Sequence, residues 1–192
     1  TMQRDVRWTN YNTLSWKQKI KKHNYDVMLG HEVSYKSTEY LLGEAMGFPF
    51  DQMENDNMGI GATPSKVEST YYDKTLLSFY ARGIYNYDNR YLFTATVRAD
   101  GSTVFSANKK WGFFPSFSAA WRVSEEAFMK DIHWISNFKV RLGWGTVGND
   151  NIPNYLSLDL YEANKYGLGN SSVTVLNPKQ LRNKNLKWEG SN

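Results

Sequence analysis

Between Thr75 and Gly148 the chain alternates apolar and polar residues in three clean runs and one looser run. In Tyr91–Asp100, Tyr91, Phe93, Ala95, Val97 and Ala99 oppose Leu92, Thr94, Thr96, Arg98 and Asp100. In Phe117–Ser124, Phe117, Ala119, Trp121 and Val123 oppose Ser118, Ala120, Arg122 and Ser124. In Phe138–Thr146, Phe138, Val140, Leu142 and Trp144 oppose Lys139, Arg141, Gly143 and Gly145. Side chains of a strand alternate faces with period two, so each run predicts a strand with one apolar and one polar face. Leu77–Tyr87 is the looser member, with Ile84 off the pattern. Upstream, Asn12–Lys19 and Tyr25–Ser37 predict two further strands, the second interrupted by His31.

Between these strands, turn chemistry sorts the connections. Thr38–Asp73 is rich in Gly, Pro, Asn and Asp and reads mostly as loop. Asp88-Asn89-Arg90 reads as a tight hairpin turn. A second excursion opens at Asp100-Gly101-Ser102 and closes near Trp111–Pro115. One short helix is expected near 124–131, with Ser124 as its cap and Glu125 and Glu126 in its first turn. After the loop Gly148–Asn154, Ser157–Ala163 is a candidate strand, Asn164–Asn177 a loop, and Asn185–Trp188 the start of another strand. Short and long connections thus alternate, as in an up-and-down transmembrane barrel with tight turns at one end and long loops at the other. The fold class predicted is all-β, an antiparallel up-and-down meander.

Composition sharpens that reading. Aromatic residues make up 16% of 192 residues, with 13 Tyr, 10 Phe and 7 Trp, which suits strands and also suits two interfacial aromatic girdles. With no cysteine, disulfide scaffolds and thiolate metal sites are excluded. A formal net charge of +4 says little about partners. No run approaches the ~18 apolar residues of a spanning helix, and Thr1–Trp8 does not read as a signal peptide. Neither observation excludes a barrel, whose hydrophobicity lies in alternate residues.

The quoted strands carry a resemblance. Tyr91–Ser102, Phe105, Trp111–Arg122, Ser124–Phe128, Lys139–Leu142, Gly145 and Gly148-Asn149 resemble, in order, the SusC/RagA class of TonB-dependent outer-membrane transporters. Asn12–Leu14 and Leu29–Glu32 resemble the preceding hairpin, and Asn185–Glu189 the next strand. The resemblance implies part of a roughly 22-stranded transmembrane barrel around an N-terminal plug. It also implies import of oligosaccharides or peptides across the Gram-negative outer membrane, a TonB complex for energy and a SusD-like surface lipoprotein as cap. Set against that pattern, residues 1–192 read as a single region. They form a fragment of the barrel's C-terminal half, without plug or signal peptide, holding about a third of the strands. Isolated, such a fragment is expected to self-associate through its open edges and lipid-suited face.

No catalyst, cofactor or nucleic-acid site is expected. Gly143-Trp144-Gly145-Thr146-Val147-Gly148 spells a dinucleotide fingerprint but lacks the following helix. Lys110–Phe114 with Lys17, Lys19, Lys21 and Lys22 makes a poor nucleic-acid surface, because Pro115 is unsuited to a central strand. His23, His31 and His133 have no ligand spacing. Glu125-Glu126 diverge too far for glycosidase chemistry. Asp51, Glu54 and Asp56 lack the rhythm of a calcium loop, and the Asn170-Ser171-Ser172 sequon is a common triplet. The binding candidates are Trp111, Phe113, Phe114, Asn149 and Asp150, placed in external loops, where recognition concentrates. The candidate lumen charges are Arg82, Arg98, Arg122, Lys139 and Arg141, with Glu32 and Asp100 as available partners. The rival reading is a soluble β-sandwich that binds carbohydrate; a weaker one is a module that pairs by strand addition. A sandwich buries Phe93, Val97, Trp121, Val140 and Trp144 in its core, whereas a barrel turns them to lipid.

Overall fold

A computed structural model describes residues 1–49, 57–129, 131–169 and 171–191. Six strands form one antiparallel meander in sequence order: β1 (Met2–Ile20), β2 (His23–Met46), β3 (Thr63–Tyr87), β4 (Tyr91–Ser102), β5 (Trp111–Arg122) and β6 (Lys139–Gly145). Two small sheets follow. One pairs β7 (Val147–Asn149) with β10 (Glu189–Ser191), and the other pairs β8 (Leu160–Leu168) with β9 (Ser171–Gln180). Among the described residues no helix is long and apolar enough to cross a membrane, which says nothing of strands.

Register keeps the two faces of the meander separate. Tyr85 pairs with Tyr25 and Phe93, and Ala119 with Phe93 and Leu142, so one row after another is apolar on one face. Ile84 stands with Asp26, Thr94 and Ser118 on the polar face, so the pleat is regular there and Ile84 is the apolar exception on that face. Pro115 lies inside β5 opposite Val97. Its carbonyl accepts from the Thr146 N–H, just past the end of β6. The nitrogen and carbonyl of a strand residue point to the same side, so the missing donor falls where the β5–β6 ladder has ended.

Several boundaries differ from expectation. The expected loop Thr38–Asp73 is mostly strand, because β2 runs on to Met46 and β3 begins at Thr63. Water wets both faces of this projecting hairpin, so backbone pairing holds it without any apolar rhythm. The same applies to Asn164–Asn177, which falls within the exposed β8–β9 hairpin. The expected helix near 124–131 is two 3₁₀ turns, Val123–Glu125 and Ala127–Met129. No side chain caps the first turn, whose N-cap position is Arg122. The Ser124 N–H instead donates to the Phe138 carbonyl, which fixes the turn by a long-range contact. Asp51, Glu54, Asp56 and Asn170 lie outside the described residues.

Burial is inverted relative to a soluble sheet. In β4 the apolar Tyr91, Phe93, Ala95 and Val97 are exposed, and the polar Thr94, Thr96 and Arg98 are half-buried. Among the described residues the buried hydrophobics are Val104, Phe105 and Val123, and all three lie in connections.

Candidate functional site

The apolar face is the first functional surface. Phe93, Val97, Trp121, Val140 and Trp144 are each 39–57% exposed. A sandwich core would have buried them, so the soluble-sandwich reading falls. Aromatic rings collect at two levels of this face. At the short-turn end His23 meets Tyr25, Tyr85 and Tyr87, Tyr85 meets Phe93, and Tyr87 meets Tyr91. At the other end Trp8 stacks on Tyr35, whose hydroxyl bonds that of Tyr71, and Phe79 stacks on Trp111. A rise of about 3.4 Å per residue separates Tyr25 from Tyr35, and Trp111 from Trp121, by about 34 Å along their strands. At a tilt of about 45° that is a depth of about 24 Å, which matches the apolar band of about 25 Å on an outer-membrane barrel.

On the polar face the ladder sets Arg82, Arg98, Arg122, Lys139 and Arg141 together on one side. Arg98 is the organised member. Its Nε donates to both Asp100 oxygens at 2.7 and 2.9 Å, and its Nη2 to Ser78 Oγ at 2.9 Å and to Glu32 at 3.5 Å. The guanidinium also lies 5.7 Å from the Tyr80 ring centroid. Tyr80 in turn covers Gly30, where an added Cβ would collide with its ring. Asp100 and Ser78 are buried, and a buried carboxylate requires such pairing. Arg122 stands directly opposite Lys139 in the ladder, and no acid among the described residues forms an ion pair with either.

Above the wall, the long connections pack into a cap. The Phe105 ring lies 4.9 Å from that of Trp188, which meets Phe114 edge-on at 5.2 Å. Trp188 Nε1 donates to the Lys110 carbonyl, and Ser106 Oγ to the Asn183 carbonyl, both at 2.8 Å. Beside this cluster opens a cavity of about 610 Å³, lined by Phe105, Lys110, Tyr155, Leu158 and Arg182 among others. That volume falls within the range of small-molecule sites, about 300–1,000 Å³.

The five binding candidates scatter. Trp111, Phe113 and Phe114 stand in β5 and not in an external loop. Trp111 and Phe113 share the apolar face with Ala99 and Gly101, whereas Phe114 opposes Arg98 on the polar face and packs into the cap. Asn149 pairs with Glu189 and accepts from the Asn151 N–H. Asp150 is tied to Lys74, whose Nζ is 2.8 Å from the carboxylate and donates to the carbonyl at 3.1 Å. Cavity residues Tyr155, Leu158 and Arg182 escaped sequence reasoning because their segment has no periodicity.

The other motifs have local partners. His23 bonds the Tyr85 hydroxyl and His31 bonds Asn12. Glu126 accepts from the Tyr91 hydroxyl and Trp121 Nε1. Lys17 pairs with Asp26, and Lys22 with Asp88. Of the glycine motif, Gly145 is pressed against Ser116 and Gly148 lies under Phe114.

Residues 2–192 match the family described as TonB dependent receptor-like, beta-barrel. The chain belongs to this family. TonB-dependent receptor barrels are outer-membrane proteins, and the family is one of transporters and not of enzymes. Over 120 residues, 60% of the chain, it is 44% identical to the TonB-dependent receptor SusC of Bacteroides thetaiotaomicron, covering 12% of that protein. Over 191 residues, 96% of the chain, it is 34% identical to the TonB-dependent receptor P26 of Formosa agariphila, covering 19%. A chain of the RagAB peptide transporter structure superposes with a TM-score of 0.88 at 26% identity, over 98% of this chain and 21% of that one. The chain therefore spans about a fifth or less of the TonB-dependent receptors it resembles.

Proposed function

We propose that this chain is a stretch of transmembrane wall in a TonB-dependent importer of oligosaccharides or peptides in a Gram-negative outer membrane. The observation that carries the reading is the exposed apolar face bounded by two aromatic levels about 24 Å apart. The polar face then lines the lumen, with Arg82, Arg98, Arg122, Lys139 and Arg141 lending it positive charge. Arg98 is held by Glu32 and Asp100, which makes it a fixed part of the wall.

The cap lies at the end of the long connections, which in this family face outward. Its cavity, together with Phe114, Asn149 and Asp150, is the ligand-contacting region of this stretch. Trp111 and Phe113 serve as lipid anchors. A SusD-like lipoprotein over the cap and a TonB complex beneath the barrel complete the whole receptor. Similarity to RagAB supports peptide cargo, and similarity to SusC supports a lipoprotein-capped arrangement. A fragment cut from this wall is expected to self-associate through β1, β6 and its apolar face.

Single-tryptophan variants of the full-length receptor, retaining Trp121 or Trp144, test the reading after reconstitution with lipid-resident quenchers. Quenching at both positions is expected. Unquenched, blue-shifted emission at both would place the face in a protein core and end the transporter reading.

A further inference from the structure

On the polar face of the meander the strand register sets three cations in one rung. Arg7 of β1 stands directly opposite Lys36 of β2, and Lys36 directly opposite Lys74 of β3. Like charges facing each other across a ladder destabilise it, so this rung leaves a charge to be offset. Lys36 lies four residues beyond Glu32 on the same face, about 14 Å along the strand. Its neighbour Tyr35 belongs to the aromatic level at the long-connection end. The rung therefore stands at that end of the polar face, and across two strand spacings it spans about 10 Å.

Lys36 is the decisive member, because β2 has a strand on either side. It is half-buried and Arg7 is exposed, and among the described residues neither forms an ion pair. The neighbouring acids of this face are engaged. Asp5, in the next rung on the same face, accepts from Gln3 and Thr38 through its two oxygens. Asp150 of the cap holds Lys74 at 2.8 Å, and Glu32 is held by Arg98. Toward the short turns, Arg82, Arg122, Lys139 and Arg141 also lack ion pairs among the described residues. A face lined by one sign of charge raises the local concentration of ions of the other, so what passes along this one is selected to be anionic.

We propose that Arg7 and Lys36, flanked by Lys74, form an anion-accepting rung at the lumen mouth, and that the cargo of this wall bears carboxylates. The proposal rests on the wall reading above and deepens it, since only a lumen brings cargo past this face. An acidic peptide and a uronic-acid oligosaccharide offer the rung the same chemistry.

The test uses the full-length receptor in lipid nanodiscs and two pairs of fluorescent probes: tetraglutamate against tetraglutamine, and tetragalacturonate against maltotetraose. At least one acidic probe is expected to bind about tenfold more tightly than its neutral counterpart, the worth of one charge-assisted contact. The pair that shows the preference names the cargo backbone, and preference in both means that the carboxylate alone is read. Lys36→Gln is expected to abolish the preference and Lys36→Arg to keep it. Lys17→Gln, on the same face at the short-turn end, should leave it unchanged. Because Lys36→Gln relieves a like-charge contact, its folding stability should equal or exceed that of wild type. Absence of preference for either acidic probe, or a preference that survives in Lys36→Gln, overturns the proposal. So does a loss of stability in Lys36→Gln, failure to fold included, which would show that an acid elsewhere in the receptor already holds Lys36. Quenching of Trp121 by lipid without an acidic preference leaves the wall reading standing and removes the rung; absence of quenching ends both.

Discussion

The ring of Phe105, in the connection from β4 to β5, packs 4.9 Å from the ring of Trp188, just ahead of β10. Phe105 is 1% exposed, so this contact ties the cap to the wall through one filled position. Truncation to Ala leaves a cavity, and buried Phe→Ala changes cost about 3–5 kcal/mol. Phe105→Ala is expected to loosen the cap and leave the strands paired. Protease cleavage within residues 150–188 should accelerate severalfold in folded receptor while the barrel resists. Unchanged cleavage would show that the cap does not depend on this contact.

Val97 and Thr96 are adjacent in β4 and point to opposite faces. An arginine on the lipid face near mid-depth costs about 2–4 kcal/mol, whereas a lumen position accepts it. Val97→Arg is therefore expected to lower folding stability in bilayers by that amount, and Thr96→Arg by well under half of it. Equal effects in equilibrium folding titrations would contradict the assignment of faces.

Gly30 has no room for a side chain because Tyr80 covers it. Gly30→Ala should push the Tyr80 ring away from the Arg98 guanidinium and weaken a cation–π contact of about 0.5–1 kcal/mol. If that is the mechanism, Gly30→Ala should cost less in a Tyr80→Ala background than alone. A double-mutant cycle measures the difference, and strict additivity would remove the coupling.

Glu126, in the turn between β5 and β6, is held below its ordinary value of 4.5, first by the Tyr91 hydroxyl and then by the Trp121 indole N–H. Asp88, in the β3–β4 turn, is held below 3.8 by the Lys22 ammonium. A carboxylate depressed in the folded state binds fewer protons there than in the unfolded one. Its contribution is present above the ordinary value and fades as pH falls through it toward the depressed one. Trp121 emission should therefore shift below about pH 4.5 in wild type. The shift should disappear in Glu126→Gln. Persistence of the same acid transition in Glu126→Gln would assign it to another group.

How much the chain revealed in advance followed from how many faces each element hides. Tyr91–Asp100 was fully legible because one face meets lipid and the other a polar lumen, so composition must alternate with the pleat. The strand and its two alternating sets of residues are those observed. Residues 38–46 and 63–73 were not legible, because a hairpin wetted on both faces needs only backbone pairing. Phe113 and Phe114 show a finer failure. Their adjacency in sequence suggested one recognition loop, yet as neighbours in a strand they part to opposite faces.

By itself the sequence determined the meander, the order of its strands and the existence of two unlike faces, since period-two patterning is a local property. Tertiary structure alone decided the rest. It showed which face is exposed, that Arg98 bridges Glu32, Ser78 and Asp100, and that Phe105 finds Trp188 across the cap. It also placed Asn10, Asn12 and His31 together in the apolar belt. The contacts of Arg98 with Glu32 and Ser78, of Asn12 with His31 and of Phe105 with Trp188 join residues far apart in the chain, and their meeting is set by strand register and loop packing, which no local pattern encodes.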